Sequence, residues 1–161
     1  MVEPMGMSAD PAEGTSAVSE TAVVDAGVLA ATVINTPDSR PVAELWERLQ
    51  AGRVAVHSPQ LWRYELTSVL RRYVFDGLIS EAAADRATEC ALALGIAGVD
   101  ESPAFHVAAL RWADRLGHRA AYDGFYVAAA AQIGAELWTC DRKLARRAGQ
   151  IGISWVREVG R

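Results

Sequence analysis

Residues 135–149 read AELWTCDRKLARRAG. Ala135 to Cys140 is a short, mostly apolar run with the length of one buried strand. Asp141 ends it. An alanine- and arginine-rich stretch of helical character follows and closes on Gly149. Strand, acid, helix is the order of a parallel sheet, where each strand hands over to a crossover helix. Asp141 then stands at the carboxyl edge of the sheet, where open α/β folds bind their ligands.

The same alternation recurs outward from that stretch. TAVVDAGVLAATVI (residues 21–34) predicts a buried strand over Ala22–Asp25 and a short helix over Val28–Ile34. TPDSRPVAELWERLQAG predicts a helix from about Pro41, with Gly52 at its C′ position. RVAVHSP (residues 53–59) is a second strand. Ser58 is its successor's N-cap, and Pro59 that helix's first residue, opening QLWRYELTSVLRRYVF. Ser80 caps EAAADRATECALALG. IAGVD (residues 96–100) reads as a short strand, and Ser102-Pro103 opens AFHVAALRWADRLG, closed by Gly117. AAYDGFYVAAAAQIG is a further helix, and ISWVRE (residues 153–158) a last strand. The expected architecture is a three-layer α/β/α sandwich with a four- or five-stranded parallel sheet. Its strands are apolar throughout, as burial on both faces requires.

A chain of 161 residues, 51% of them apolar, fits one domain with one core. Residues 1–20 are rich in Pro, Gly, Ser and acid, and are expected to form a disordered tail before a domain over residues 21–161. Glu3, Asp10, Glu13 and Glu20 account for the whole net charge of −4. The rest is balanced, so charge neither demands nor excludes nucleic acid. No apolar run is long enough to span a bilayer, and no secretory signal is expected. Cys90 and Cys140 are too few and too far apart for a disulfide framework or a zinc signature. A reduced cytoplasmic protein with no membrane partner is the expectation.

Four carboxylates converge on the expected edge. Asp25 and Asp141 each close a strand, and each can also serve as a helix N-cap. Glu65 falls on or beside the stripe of Leu61, Trp62, Leu66, Val69 and Tyr73, facing inward. An inward carboxylate needs a partner, for which Arg63, Arg71 and Arg72 are candidates. Asp123 shares a helix face with Tyr126 and Val127, and would also suit the positive end of the helix dipole. Two unit charges 4 Å apart repel by about 4 kcal/mol at an effective dielectric near 20. A divalent cation among the four removes that conflict, and hard oxygen donors suit Mg²⁺ or Mn²⁺. Such a centre commonly acts on phosphate esters.

These blocks resemble a PIN-domain nuclease: VVDAGVLAA its first strand and acid, HSPQLWRYELTSVLRR the helix with the inward glutamate, and YDGFYVAAAAQIGAELWTCDRKL the third and fourth acids. The similarity spans roughly residues 21–158. The small size, nearly free of insertions, resembles the toxins of type II toxin–antitoxin pairs, the VapC group. The resemblance implies an endoribonuclease that hydrolyses RNA with Mg²⁺ or Mn²⁺, leaving a 5′-phosphate and a 3′-hydroxyl. Asp25, Glu65, Asp123 and Asp141 would hold the metal and position the attacking water. Thr139 would steady a carboxylate or water. It further implies a homodimer and a cognate antitoxin whose C-terminal segment blocks the site. The chain departs from the family's pattern at Ala26 and Gly27, where Ser, Thr or Asn is common.

Arg142, Lys143, Arg63 and Arg119 are candidate grips for RNA phosphates, although a solvated helix surface also explains them. Trp62 or Tyr122 could stack a base, and Asp100 competes for a place among the acids. Two alternatives within the fold remain: a nuclease of RNA processing, and a catalytically weak module that binds RNA or a partner. A receiver-type signalling domain would need a lysine at a late strand's end. The only lysine, Lys143, follows Asp141 inside a helix.

Overall fold

Four strands form one parallel sheet in the computed structural model, which describes residues 20–160. The expected tail lies, apart from Glu20, outside the described residues. β1 (Thr21–Val24) lies between β2 (Ala55–His57) and β3 (Glu136–Thr139), and β4 (Val156–Glu158) extends the sheet beyond β3, in the order β2-β1-β3-β4. Ala22, Val23 and Val24 are all buried. Successive strand residues point to opposite faces, so the sheet is covered on both faces at β1, while β2 and β4 at its edges are partly exposed.

Seven helices among the described residues cover it: α1 (Ala26–Val33), α2 (Ser39–Ala51), α3 (Leu61–Phe75), α4 (Glu81–Leu92), α5 (Pro103–Leu116), α6 (Tyr122–Ile133) and α7 (Arg142–Gln150). α1 packs against α2, α3 and α4, while α5 packs against α6 and α7. The α5–α6 contact is the most extensive of all, and Gly124 explains it. A Cβ at this position would collide with the backbone carbonyl of Ala109 and come within 3.1 Å of the Ala113 nitrogen. The bare Cα lets the first turn of α6 lie directly on α5. That turn carries Asp123.

Three local expectations need correction. IAGVD is no full strand: Ala97 makes a single bridge to His57, donating to Val56 O and accepting from Ser58 N–H. The segment runs along an exposed edge, and Gly98 brings no side chain to pack. Ser58 does not cap α3. Its buried hydroxyl donates to Val24 O at 2.8 Å instead, and α3 starts at Leu61 after a tight turn through Pro59 and Gln60. Gly52 is the last residue of ordinary φ at the end of α2, and the left-handed φ of 52° falls on Arg53. The closing hydrogen bonds, Val54 N–H to Leu49 O and Arg53 N–H to Gln50 O, place the C′ position one residue later than the glycine.

Candidate active site at the carboxyl edge

Register brings the two strand-end acids to one level. Val24 of β1 pairs with Trp138 of β3, and the Asp25 N–H continues the ladder to Trp138 O at 3.2 Å. Asp25 is the N-cap of α1, its Oδ1 accepting from Val28 N–H at 2.9 Å, yet it is only 8% exposed. Asp141 caps α7 by accepting from the N–H groups of Lys143 and Leu144, at 2.7 and 3.1 Å. Both therefore do fill the plain capping role. Thr139 ties them together. Its fully buried hydroxyl accepts from Asp141 N–H at 2.8 Å and donates to the Asp25 carboxylate.

Glu65 and Asp123 arrive from two helices. Among the described residues no arginine pairs with Glu65. The hydroxyl of buried Tyr126 donates to its Oε2, and Ala26 N–H donates in turn to the Tyr126 oxygen. Asp123, in the first turn of α6, has its Oδ2 2.9 Å from His118 Nδ1. Gly117 makes that pairing reachable. It ends α5 with φ 72°, a left-handed turn that costs glycine little, and His118 N–H caps back to Ala113 O at 2.9 Å.

The four acids form one electrostatic group. Burial pushes the Asp25 carboxyl up to about 6, the charges of Asp123 and Glu65 add to the rise, and hydrogen bonds from Thr139 and Val28 oppose it. Glu65 is raised chiefly by burial and further by Asp123, against the Tyr126 hydrogen bond. Asp123 is raised by burial and by Asp141, with His118 pulling the other way. Burial, then Glu65, holds Tyr126 far above its ordinary value, so it stays a donor. Cys140 is pushed up to about 12, first by burial and then by Asp25, and stays a thiol.

All four donors are carboxylate oxygens, those of Asp25, Glu65 and Asp123 with raised proton affinity, and their chemistry fits a hard divalent cation, which would relieve the repulsion. No group of three or more His, Cys, Asp or Glu among the described residues is already arranged as a ligand set. Glu65 is turned to Tyr126, Asp123 to His118, and Asp141 to the start of α7.

The basic candidates are less gathered. Arg142 pairs with Glu158 at 3.4 Å. Arg63 is exposed, its guanidinium 5.6 Å from the Trp62 ring centroid. Lys143 is exposed at the start of α7, and Arg119 in the turn between α5 and α6. Asp100 is exposed and takes no part in the acidic group. Tyr126 and His118 were not legible as site residues. The one available signal was spacing: Tyr126 stands one turn after Asp123, on the same face.

The PIN domain family model matches residues 22–150. The crystal structure of PAE2754 from Pyrobaculum aerophilum is similar, with a TM-score of 0.63 and 23% identity over 88% of this chain and 91% of that one, a likeness of fold. No curated protein matches. Among the described residues no helix is long and apolar enough to cross a membrane.

Proposed function

The chain belongs to the PIN-domain family, whose members are as a rule nucleases, and from that premise we propose an endoribonuclease dependent on Mg²⁺ or Mn²⁺. One observation carries the reading. Asp25, Glu65, Asp123 and Asp141 come from four separate segments, and Asp123 feels or exerts charge on each of the other three. Capping accounts for Asp25 and Asp141 singly, but bringing four like charges together costs folding energy.

Asp25, Glu65, Asp123 and Asp141 would hold the cation, which when bound supplies Lewis-acid polarisation of the phosphodiester and a more acidic attacking water. The chain's own residues orient the donors. Thr139 keeps the Asp25 and Asp141 segments in register, Tyr126 fixes the Glu65 carboxylate, and His118 fixes Asp123. Arg63, Arg119, Arg142 and Lys143 serve, on this reading, as phosphate contacts around the centre.

The setting we favour is the toxin of a toxin–antitoxin pair, a cytoplasmic homodimer held inactive by its cognate antitoxin. Support comes from the small domain, nearly free of insertions, which resembles the VapC group in size. The test is cleavage of RNA by purified protein. Fragments should carry a 5′-phosphate, require Mg²⁺ or Mn²⁺, and cease with EDTA. A protein inert on every RNA offered with either metal would overturn the nuclease reading. Growth unaffected by induction without any partner would move it from toxin to RNA processing.

A further inference from the structure

Beside the acidic centre lies a groove of about 320 Å³ that the cleavage reading leaves unused. It follows one face of α3. Leu61, Tyr64, Glu65, Ser68, Val69 and Arg72 of α3 line it, with Tyr122 from the start of α6. Helical geometry places Arg72 about 10 Å beyond Glu65 along the axis. Tyr64 is 72% exposed and Tyr122 58%, unusual for large aromatic rings. Among the described residues no carboxylate pairs with the Arg72 guanidinium.

We infer that this groove binds one unpaired nucleotide of the RNA next to the cleaved bond, its base against Tyr64 and Tyr122 and its phosphate at Arg72. The inference rests on the ribonuclease reading and adds a subsite to it, one open to an unpaired nucleotide because a base inside a duplex cannot reach an aromatic face. Three features favour this occupant. The groove is continuous with the centre, because Glu65 lines both. Its lining carries an acid, Glu65, and about 10 Å further along α3 a base, Arg72, which suits a phosphate leaving the metal site. Its lining pairs two exposed tyrosine rings with the apolar Leu61 and Val69, the kind of surface on which any base can stack.

The test is fluorescence anisotropy with a labelled single-stranded RNA of randomised sequence, in EDTA so that nothing is cut, paired with a cleavage assay in Mn²⁺. Tyr64→Ala and Tyr122→Ala should each weaken binding by roughly five- to a hundredfold. Arg72→Gln should flatten the dependence of log affinity on log salt by about 0.7. A duplex of the same RNA should bind the wild type and Tyr64→Ala equally. Phe75→Ala removes a still more exposed ring, 77%, that lies outside the groove beside Arg71, and should change nothing. If wild type binds and cuts while the groove variants match it, the subsite is wrong and the nuclease stands. If wild type neither binds nor cuts RNA, both fall. If Tyr64→Ala changes the sedimentation coefficient and binding falls only in step with it, the groove is a protein contact and the nucleotide assignment is overturned.

Discussion

Along β1, Ala22, Val23 and Val24 are buried apolar side chains; one residue further, Asp25 is nearly as buried and carries a carboxylate. The same change occurs on the neighbours. Ser58 follows β2, and Thr139 ends β3 after buried Leu137. Asp25, Ser58 and Thr139 are the buried polar residues among those described, and all three lie where strands end. The sheet interior satisfies itself by packing. Its edge is held by hydrogen bonds among groups that repel one another or resist burial. Interior residues are thus arranged for stability, whereas at the edge caps and hydrogen bonds hold in place carboxylates whose gathering costs stability.

Substitutions on the two sides should have opposite signatures. The largest effect belongs to the edge. Asp25→Asn or Asp123→Asn should lower RNA cleavage about a thousandfold, or about 4 kcal/mol of barrier, with the fold intact by circular dichroism. Cleavage at the wild-type rate would separate these acids from the chemistry. Next comes the interior. Gly124→Ala should destabilise by about 3 kcal/mol in urea denaturation, because the added methyl meets α5 backbone rather than a flexible side chain. A midpoint matching wild type would mean the helices are free to part.

The third sharpens the contrast through pH. The Asp25 carboxyl titrates near 6 in the fold against 3.8 as an ordinary aspartate. Between those values the folded chain holds a proton that the unfolded chain has released, so stability falls as pH rises through the window. In EDTA, Asp25→Asn should gain on wild type from pH 4 to pH 7 by up to about 3 kcal/mol. A constant difference between the two thermal melting curves across that range would contradict the burial cost assigned to Asp25. The smallest effect is Thr139→Val, which removes the bridging hydroxyl from Asp25 and Asp141 and should cost about 1–2 kcal/mol. Measured at pH 7 and pH 4, its cost should be larger at pH 7, where Asp25 is ionised and the hydrogen bond is charge-assisted.

Much of this edge could be read from the chain because strand ends and helix stripes are periodic. Asp25 and Asp141 follow apolar runs, and Glu65 interrupts a stripe, so each is marked by position alone. The partners carry no such mark. Tyr126 sits on an apolar face with Val127 and Ala130, where a core aromatic looks the same, and only the fold brings its hydroxyl to Glu65. His118 lies beyond a helix end, and its pairing with Asp123 depends on the turn that Gly117 makes. Ser58-Pro59 misled for the opposite reason. The local cap signal is sound, but a carbonyl at the end of β1 competes for the hydroxyl and takes it. Likewise IAGVD has the composition of a strand and lacks the second bridge that would make it one.

Gly124 leaves an imprint on what variation the chain tolerates. Because its neighbour across the helix pair is main chain, no compensating side-chain change at Ala109 or Ala113 opens room for a larger residue there. A saturation library at position 124, sorted for folded protein, should return the parental codon family almost alone, while position 122, two residues earlier and exposed, accepts most residues.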